Sequence, residues 1–299
     1  MPDDLTLLVD TSSLVYRALF SIPDSVRAPD GTRINAAYGF IGMLAQLVRD
    51  HDPAYLGCAT DEAWRPRWRV ELIGSYKSHR AEEGSPQQEA EEHLLPQMPV
   101  IQTVLELCGV PVVGQPDYEA EDVIGTLAAR SQGRVGIVSG DRDLFQLVRD
   151  PSVRVLYPKR GVSNLEVVDE AYIAKRFGIP GRAYRDYALL RGDPSDGLPG
   201  VKGIGEKSAS SLLTKYGSLD AIVEAALSEP SGMLLGKVAR QVDYIERAVK
   251  VITIPTDLPL PDVDLTRPRT SPDERVWKVA EQYRLTSPVR RLVTALTSG

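Results

Sequence analysis

Leu5-Thr6-Leu7-Leu8-Val9-Asp10-Thr11-Ser12 is an apolar run that stops at a carboxylate. A run of about four to eight such residues, closed by polar turn formers, reads as a buried strand. The shape recurs. Ala54 to Ala59 is apolar and closes on Asp61, and Val135 to Val138 runs into Ser139-Gly140-Asp141. Val110 to Val113 and Val153 to Tyr157 are further strand candidates, with helix-period segments at Tyr38 to Asp50 and Leu95 to Cys108. This alternation predicts an α/β fold with a mostly parallel, Rossmann-like sheet flanked by helices. Parallel strands point one way, so Asp10, Asp61 and Asp141 are expected along one edge. That edge is where open α/β sheets keep their sites.

A chain of 299 residues allows one large domain or two small ones, with ample core. No apolar run approaches the ~20 residues that span a bilayer. The acidic start Met1-Pro2-Asp3-Asp4 does not read as a signal peptide, so a cytoplasmic protein is expected. Cys58 and Cys108 lie in apolar surroundings and read as buried thiols, not a disulfide or zinc pair. Three histidines argue against a histidine-based metal centre. The net charge of −6 by itself argues against a nucleic-acid partner. The acids are clustered, however, and if they hold cations the remaining surface is close to neutral or basic.

From Asp169 onward the pattern turns helical. Asp169 can cap a helix that stops at Gly178, and Pro180 suits the start of the next. Lys215-Tyr216-Gly217-Ser218 reads as a helix end and a new N-cap. Pro255 to Pro272 is an extended connection, followed by two terminal helices from Val276. The polar stretch Arg80 to Pro86 is expected to be mobile.

Tyr118-Glu119-Ala120-Glu121-Asp122-Val123-Ile124 opens a helix whose Ala120, Val123, Ile124 and Leu127 face the sheet. Glu119 and Asp122 share the first turn, where the helix dipole offsets their repulsion by about 0.3–1 kcal/mol per charge. Two more acidic turns follow, Gly140-Asp141-Arg142-Asp143 and Gly192-Asp193-Pro194-Ser195-Asp196. The nine carboxylates Asp10, Asp61, Glu119, Glu121, Asp122, Asp141, Asp143, Asp193 and Asp196 would repel one another without cations. Oxygen-only ligands are hard, so Mg²⁺ or Mn²⁺ is expected. Two such ions about 3.5–4 Å apart can activate water and stabilise the leaving oxygen of a phosphodiester. No serine, cysteine or histidine arrangement offers a competing nucleophile.

Gly200-Val201-Lys202-Gly203-Ile204-Gly205-Glu206-Lys207 sets close glycines before an apolar helix. Such a turn lets backbone N–H groups approach phosphates and reads backbone, not sequence. The spacing suits a DNA-binding helix–hairpin–helix element, with Lys202, Gly203, Gly205 and Lys207 as candidate contacts. It lacks the terminal Gly-Lys-Ser/Thr of a P-loop, so ATP is not implied. A second basic group is Arg65, Arg67, Arg69, Lys77 and Arg80, interleaved with Trp64, Trp68 and Tyr76. Aromatics among basic residues suit stacking on unpaired bases. The alternative is that the tryptophans pack as core or rim.

Together these motifs resemble the flap endonuclease and 5′–3′ exonuclease family, which includes the N-terminal nuclease domain of bacterial DNA polymerase I. The matching residues begin with Val9-Asp10, Tyr16-Arg17-Ala18 and Ser75-Tyr76-Lys77 with Arg80. They continue through Glu119 to Gly125, Gly140 to Leu144, Gly192 to Asp196 and Leu198 to Lys207. The resemblance implies a PIN-like nuclease domain over 1–168, with a helical arch at about 65–98. It further implies a helix-three-turn-helix DNA-binding domain over 169–254 and a C-terminal extension, 255–299, packed back on the first domain. It assigns one metal to Asp10, Asp61, Glu119 and Glu121, and a second to Glu121, Asp141, Asp143 and Asp193. Asp122 and Asp196 would act at the same two or three ions, through water. Tyr76, Lys77 and Arg80 would work at the scissile phosphate beside Asp10 and Asp141, and Arg17 would contact DNA; Arg191, read from its own charge and not from the resemblance, is a further candidate DNA contact. K⁺ is expected at the hairpin carbonyls.

The implied substrate is DNA that is flapped, nicked, gapped or 5′-tailed. The implied setting is replication and repair, in a nucleoid-associated, monomeric protein that docks to a polymerase and not to a membrane. Glu121 and Gly197 depart from the common Asp and Asn of bacterial relatives, and Arg191 from an apolar residue. No polymerase sequence follows, so an independent protein is expected. A non-catalytic DNA-binding relative would lack several of the acids. A haloacid dehalogenase-type phosphatase would need Asp where Ser12 stands. A PIN-type ribonuclease would lack the glycine hairpin.

Overall fold

The computed structural model describes residues 4–82, 84–228 and 232–298. Strand β1 (Leu5–Asp10) leads into α1 (Thr11–Ser21), α2 (Asn35–His51) and β2 (Tyr55–Ala59). Then come α3 (Arg67–Leu72), a 3-10 turn at Ser78–Arg80, α4 (Pro86–Leu94), α5 (Met98–Leu107) and β3 (Val112–Val113). Helix α6 (Ala120–Arg130), β4 (Arg134–Val138), a 3-10 turn at Asp143–Leu147, β5 (Val153–Pro158) and β6 (Leu165–Val168) complete the sheet. The strand order is β3-β2-β1-β4-β5-β6. Five strands run parallel and β6 runs antiparallel to β5. The winding reverses between β1 and β4, which makes their C-terminal ends the switch point of the sheet.

The helical half comprises α7 (Glu170–Phe177), α8 (Tyr184–Arg191), α9 (Glu206–Tyr216), α10 (Leu219–Ser228), α11 (Met233–Ala239) and α12 (Val242–Ile252). An extended strap over 253–274 then leads to α13 (Arg275–Gln282) and α14 (Thr286–Thr297). Asp169 caps α7, its carboxylate accepting from the Tyr172 amide at 2.7 Å, and Gly178 ends that helix at φ 65°. Helix α8 starts at Tyr184 and not at Pro180, because residues 180–183 close a turn from the Ala183 amide to the Pro180 carbonyl.

Both sheet faces are covered, which is why the parallel strands read as continuous apolar runs. On one face Leu8, Ile137 and Val155 pack under α6 and the helical half. On the other, Leu7, Val9 and Leu56 pack under α1, α2, α5, α13 and α14. The strap adds backbone bonds to β2: the Leu56 amide donates to Leu265 O at 2.7 Å, and the Arg267 amide to Ala54 O at 2.9 Å. Helix α14 lies on α2.

Two further differences from the sequence reading have local causes. Helix α5 begins at Met98, not Leu95, because Leu95 closes α4 with its amide on Glu91 O and residues 95–97 form the turn between the two helices; the buried Gln97 side chain is used elsewhere. Its Oε1 accepts from the Ala36 and Ala37 amides and so caps α2, whose own N-cap Ile34 cannot. Strand β6 is short and half exposed, an edge strand without a continuous apolar run. In the 80–86 stretch, Ser85 caps α4 by accepting from the Gln88 amide, while Glu83 lies outside the described residues. Both cysteines are free and buried, and no described helix is long and apolar enough to cross a membrane.

Candidate active site

Asp10 closes β1 and caps α1. Its Oδ1 accepts from the Ser13 amide at 3.0 Å and its Oδ2 from Ser139 Oγ at 2.6 Å. Ser139, just past β4, also accepts from the Asp141 amide at 2.9 Å, and Asp141 accepts from the Asp143 amide at 2.8 Å. This relay runs across the switch point. Above it opens a cavity of about 550 Å³ lined by Asp10, Asp61, Glu119, Glu121, Asp141, Lys77, Arg80 and Trp64. The aspartates expected along one edge therefore share one cavity.

Helix α6 points its N-terminus into this cavity. Glu119 is its N-cap, closed by a reciprocal box with Asp122, whose Oδ2 accepts the Glu119 amide at 3.1 Å. Asp61 Oδ1 accepts the Ala120 amide at 2.7 Å. The first-turn amides are thus spent on acids, which the dipole favours. Asp122 is fully buried, and its other oxygen accepts from Arg69 at 2.6 Å.

Glu121, Asp141 and Asp143 bring carboxylate oxygens within 4.8 Å of one another. Burial, then the Glu119 charge, pushes Glu121 well above the ordinary carboxylate pKa. Burial and the Asp196 charge raise Asp141, and burial and the Asp141 charge raise Asp143. Asp10 is lifted to about 7 by burial and by Asp61, against the pull of its Ser139 and Ser13 hydrogen bonds. A cation among these groups would relieve both the desolvation and the repulsion. The donor set is oxygen only, so it fits a hard divalent ion.

Cations of the chain itself face the remaining acids. Lys77 is buried in a left-handed conformation, φ 47°, and its ammonium donates to Glu119 Oε1. Burial would lower its pKa, but Tyr76, Asp196, Glu119 and Glu121 outweigh that and hold it well above the usual lysine value. The Tyr76 hydroxyl donates to Glu119 Oε2 at 2.6 Å. Arg80 donates to Asp196 Oδ1 at 2.8 Å and to Ser195 O at 2.6 Å. The backbone holds this segment down, with the Lys77 amide on Asp196 O at 2.9 Å. Gly197, at φ 67°, makes that approach possible, because a Cβ there would lie 2.0 Å from Ser75 O. Any side chain would push Lys77 away from the acids.

Sequence reasoning missed the role of Arg69. It is fully buried and donates to Glu119 Oε2 and Asp122 Oδ1. Arg67, two residues away, stands 89% exposed and pairs with Glu71. No signal in the sequence separates the two arginines. Trp68 donates to Asp117 O at 3.1 Å and packs near Tyr118, while Trp64 reaches the cavity.

Asp193 accepts from the Ser195 amide at 2.8 Å and adds its charge against Asp143. Arg191 is engaged with Gly192 O at 2.9 Å and with Asp193 and Glu206 at 3.3 and 3.6 Å. The Arg17 guanidinium lies beside Gly140, its buried Nε without a hydrogen-bond partner. Past the acids, Lys202, Gly203, Gly205 and Lys207 are exposed on the hairpin before α9. The hairpin is braced from α11 and α12. Lys237 donates to Gly203 O at 2.8 Å, Gln241 accepts the Lys202 amide at 2.8 Å, and the Tyr244 hydroxyl accepts the Gly200 amide at 3.0 Å.

Residues 5–178 match the family described as 5'-3' exonuclease, N-terminal resolvase-like domain, and residues 179–274 match 5'-3' exonuclease, C-terminal SAM fold. The chain belongs to the 5′–3′ exonuclease family. A relative named 5'-3' exonuclease from Streptomyces coelicolor is 47% identical over 302 residues, covering 98% of this chain and 100% of its own. One of the same name from Mycobacterium tuberculosis is 41% identical over 311 residues, covering 97% of each. Among solved structures, the bacteriophage T5 D15 flap endonuclease in a pseudo-enzyme-product complex with DNA and metal ions aligns with a TM-score of 0.68. It is 16% identical and covers 98% of this chain and 100% of its own, a likeness of fold.

Proposed function

We propose that this member of the 5′–3′ exonuclease family hydrolyses DNA phosphodiesters from 5′ ends and at 5′ flaps, in replication and repair. The observation that carries the reading is the group of buried Glu121 and Asp143 with half-buried Asp141 at the switch point, facing Lys77 and Arg80 and flanked by the exposed hairpin. Asp10, Asp61, Glu119 and Glu121 would hold one divalent ion, and Glu121, Asp141, Asp143 and Asp193 a second. Bound Mg²⁺ or Mn²⁺ supplies an activated water and stabilisation of the leaving oxygen.

The side chains do the rest. Lys77 and Arg80 lie where a phosphate over the acids would be neutralised as its charge develops. Tyr76 holds Glu119 in place. Asp122 serves as helix cap and partner of Arg69, and Asp196 anchors Arg80. Lys202, Lys207 and the glycine amides present a phosphate-binding surface to the duplex, and Arg17 and Arg191 flank the acids. Lys237 already occupies Gly203 O, so K⁺ at the hairpin would use neighbouring carbonyls. On this reading the enzyme works in the cytoplasm with the nucleoid, as a monomer, and meets a polymerase at the same junctions.

The test is cleavage of a 5′-end-labelled flap duplex with Mg²⁺ or Mn²⁺, with Asp141→Ala alongside. Release of the flap as a discrete oligonucleotide by the wild type alone is expected. Salt-sensitive binding without cleavage in either metal would overturn the reading in favour of a non-catalytic DNA-binding protein.

A further inference from the structure

The geometry points to Arg69 as a positioning residue that fixes the metal-facing acids of α6 against the helical half of the chain. The inference rests on the nuclease reading above. The Arg69 guanidinium does not line the cavity and makes all its bonds behind the acids. Nη1 donates to Glu119 Oε2. Nη2 donates to Asp122 Oδ1 at 2.6 Å and lies 3.4 Å from Glu121 Oε1. Nε points the other way and donates to Val251 O in the last turn of α12 at 3.1 Å. That carbonyl belongs to the end of a helix, where acceptors lack intrahelical donors and carry partial negative charge. The Trp68 and Tyr76 rings border the guanidinium, 4.9 and 5.7 Å from its carbon.

One planar group thus reaches three acids of the first turn of α6 and the end of a helix from the other half. The consequence falls on Glu119. Arg69 and Tyr76 hold its Oε2 from behind, which turns Oε1 toward Lys77 and the cavity. Misplacing a reacting group by about 1 Å can cost roughly a hundredfold in rate. A lysine would keep the charge at position 69. It has one ammonium on a flexible stem and lacks the rigid fork that serves both directions at once.

The experiment compares Arg69→Lys with Arg275→Lys, an exposed control on α13 that pairs with Asp273 away from the site. Folding is followed by thermal melting, Mn²⁺ binding without DNA by electron paramagnetic resonance, and kcat and KM on a flap duplex at saturating Mn²⁺. For folded Arg69→Lys, half-saturation by Mn²⁺ is expected to rise about tenfold and kcat to fall about a hundredfold, with KM nearly unchanged. Arg275→Lys should match the wild type throughout. An Arg69→Lys protein that folds and keeps both the wild-type Mn²⁺ midpoint and kcat overturns the inference. So does a loss of kcat that only follows the unfolded fraction. If Arg69→Lys does not fold, Asp122→Asn carries the test: a raised midpoint supports the inference and an unchanged one overturns it. A wild type that binds Mn²⁺ but cuts no flap defeats the nuclease reading alone, and the midpoint shift then decides the role of Arg69.

Discussion

Glu119, Asp122 and Asp196 each meet a basic side chain, from Lys77, Arg69 or Arg80. Asp10, Asp141 and Asp143, a few residues away, have no basic group within 4.0 Å among the described residues; the hydrogen bonds that reach Asp10 and Asp141 come from hydroxyls and amides. The first set is neutralised by the chain and can hold the fold in place. The second is crowded and largely buried, and a cation from outside would balance it. The difference separates acids that the chain already neutralises from acids that await an ion, and Glu119 and Glu121, which both lie against Arg69 and face the cavity, stand between the two.

The largest expected effect falls on the second set. Asp141→Ala and Asp143→Ala should each slow cleavage on the order of ten-thousandfold, about 5 kcal/mol, measured in single-turnover assays. DNA affinity, measured in Ca²⁺, should stay close to wild type. If either variant cuts at full rate, the two sets are not different in kind.

Asp10 offers a pH test of the same contrast. Below its unfolded pKa of 3.8 both states carry the proton, and between 3.8 and about 7 only the folded state does. Folding takes up a proton in that window, so stability of the metal-free protein falls as pH rises through it. The ceiling is about 4 kcal/mol. Thermal melts in EDTA should show that decline for the wild type and a flatter profile for Asp10→Asn. Adding Mn²⁺ at pH 8 should restore the wild type more than the variant.

Lys77→Ala should slow cleavage about a hundredfold at saturating metal, because it removes charge at the phosphate and frees Glu119. Lys202→Ala and Lys207→Ala stand outside the comparison and should have the smallest effects. Each should weaken binding equally across DNA sequences and reduce the salt slope by about one, as filter binding over a salt series would show.

Much of the frame was legible because its cause is local. Leu5 to Val9 and Val135 to Val138 read as strands since a sheet covered on both faces asks for unbroken apolar runs. Their ends announced Asp10 and Asp141. Asp169, Gly178 and Ser218 signalled helix ends through side-chain caps and a left-handed residue. What stayed hidden depends on partners far along the chain. Gln97 caps α2 from 61 residues away. Arg69 differs from Arg67 only in facing Glu119 and Val251, and Gly197 is needed only because Ser75 packs on it. The acids were visible one by one, but their division into paired and unpaired sets was not, because pairing is decided by the 65–98 segment folding onto the sheet.

The most direct test is a crystal soaked in Mn²⁺ and measured at the manganese absorption edge. An anomalous peak bonded to carboxylate oxygens of Glu121, Asp141 and Asp143 is the result this account expects. A clean map with no peak there, or manganese seated only on the arginine-paired acids Glu119 and Asp122, would contradict it.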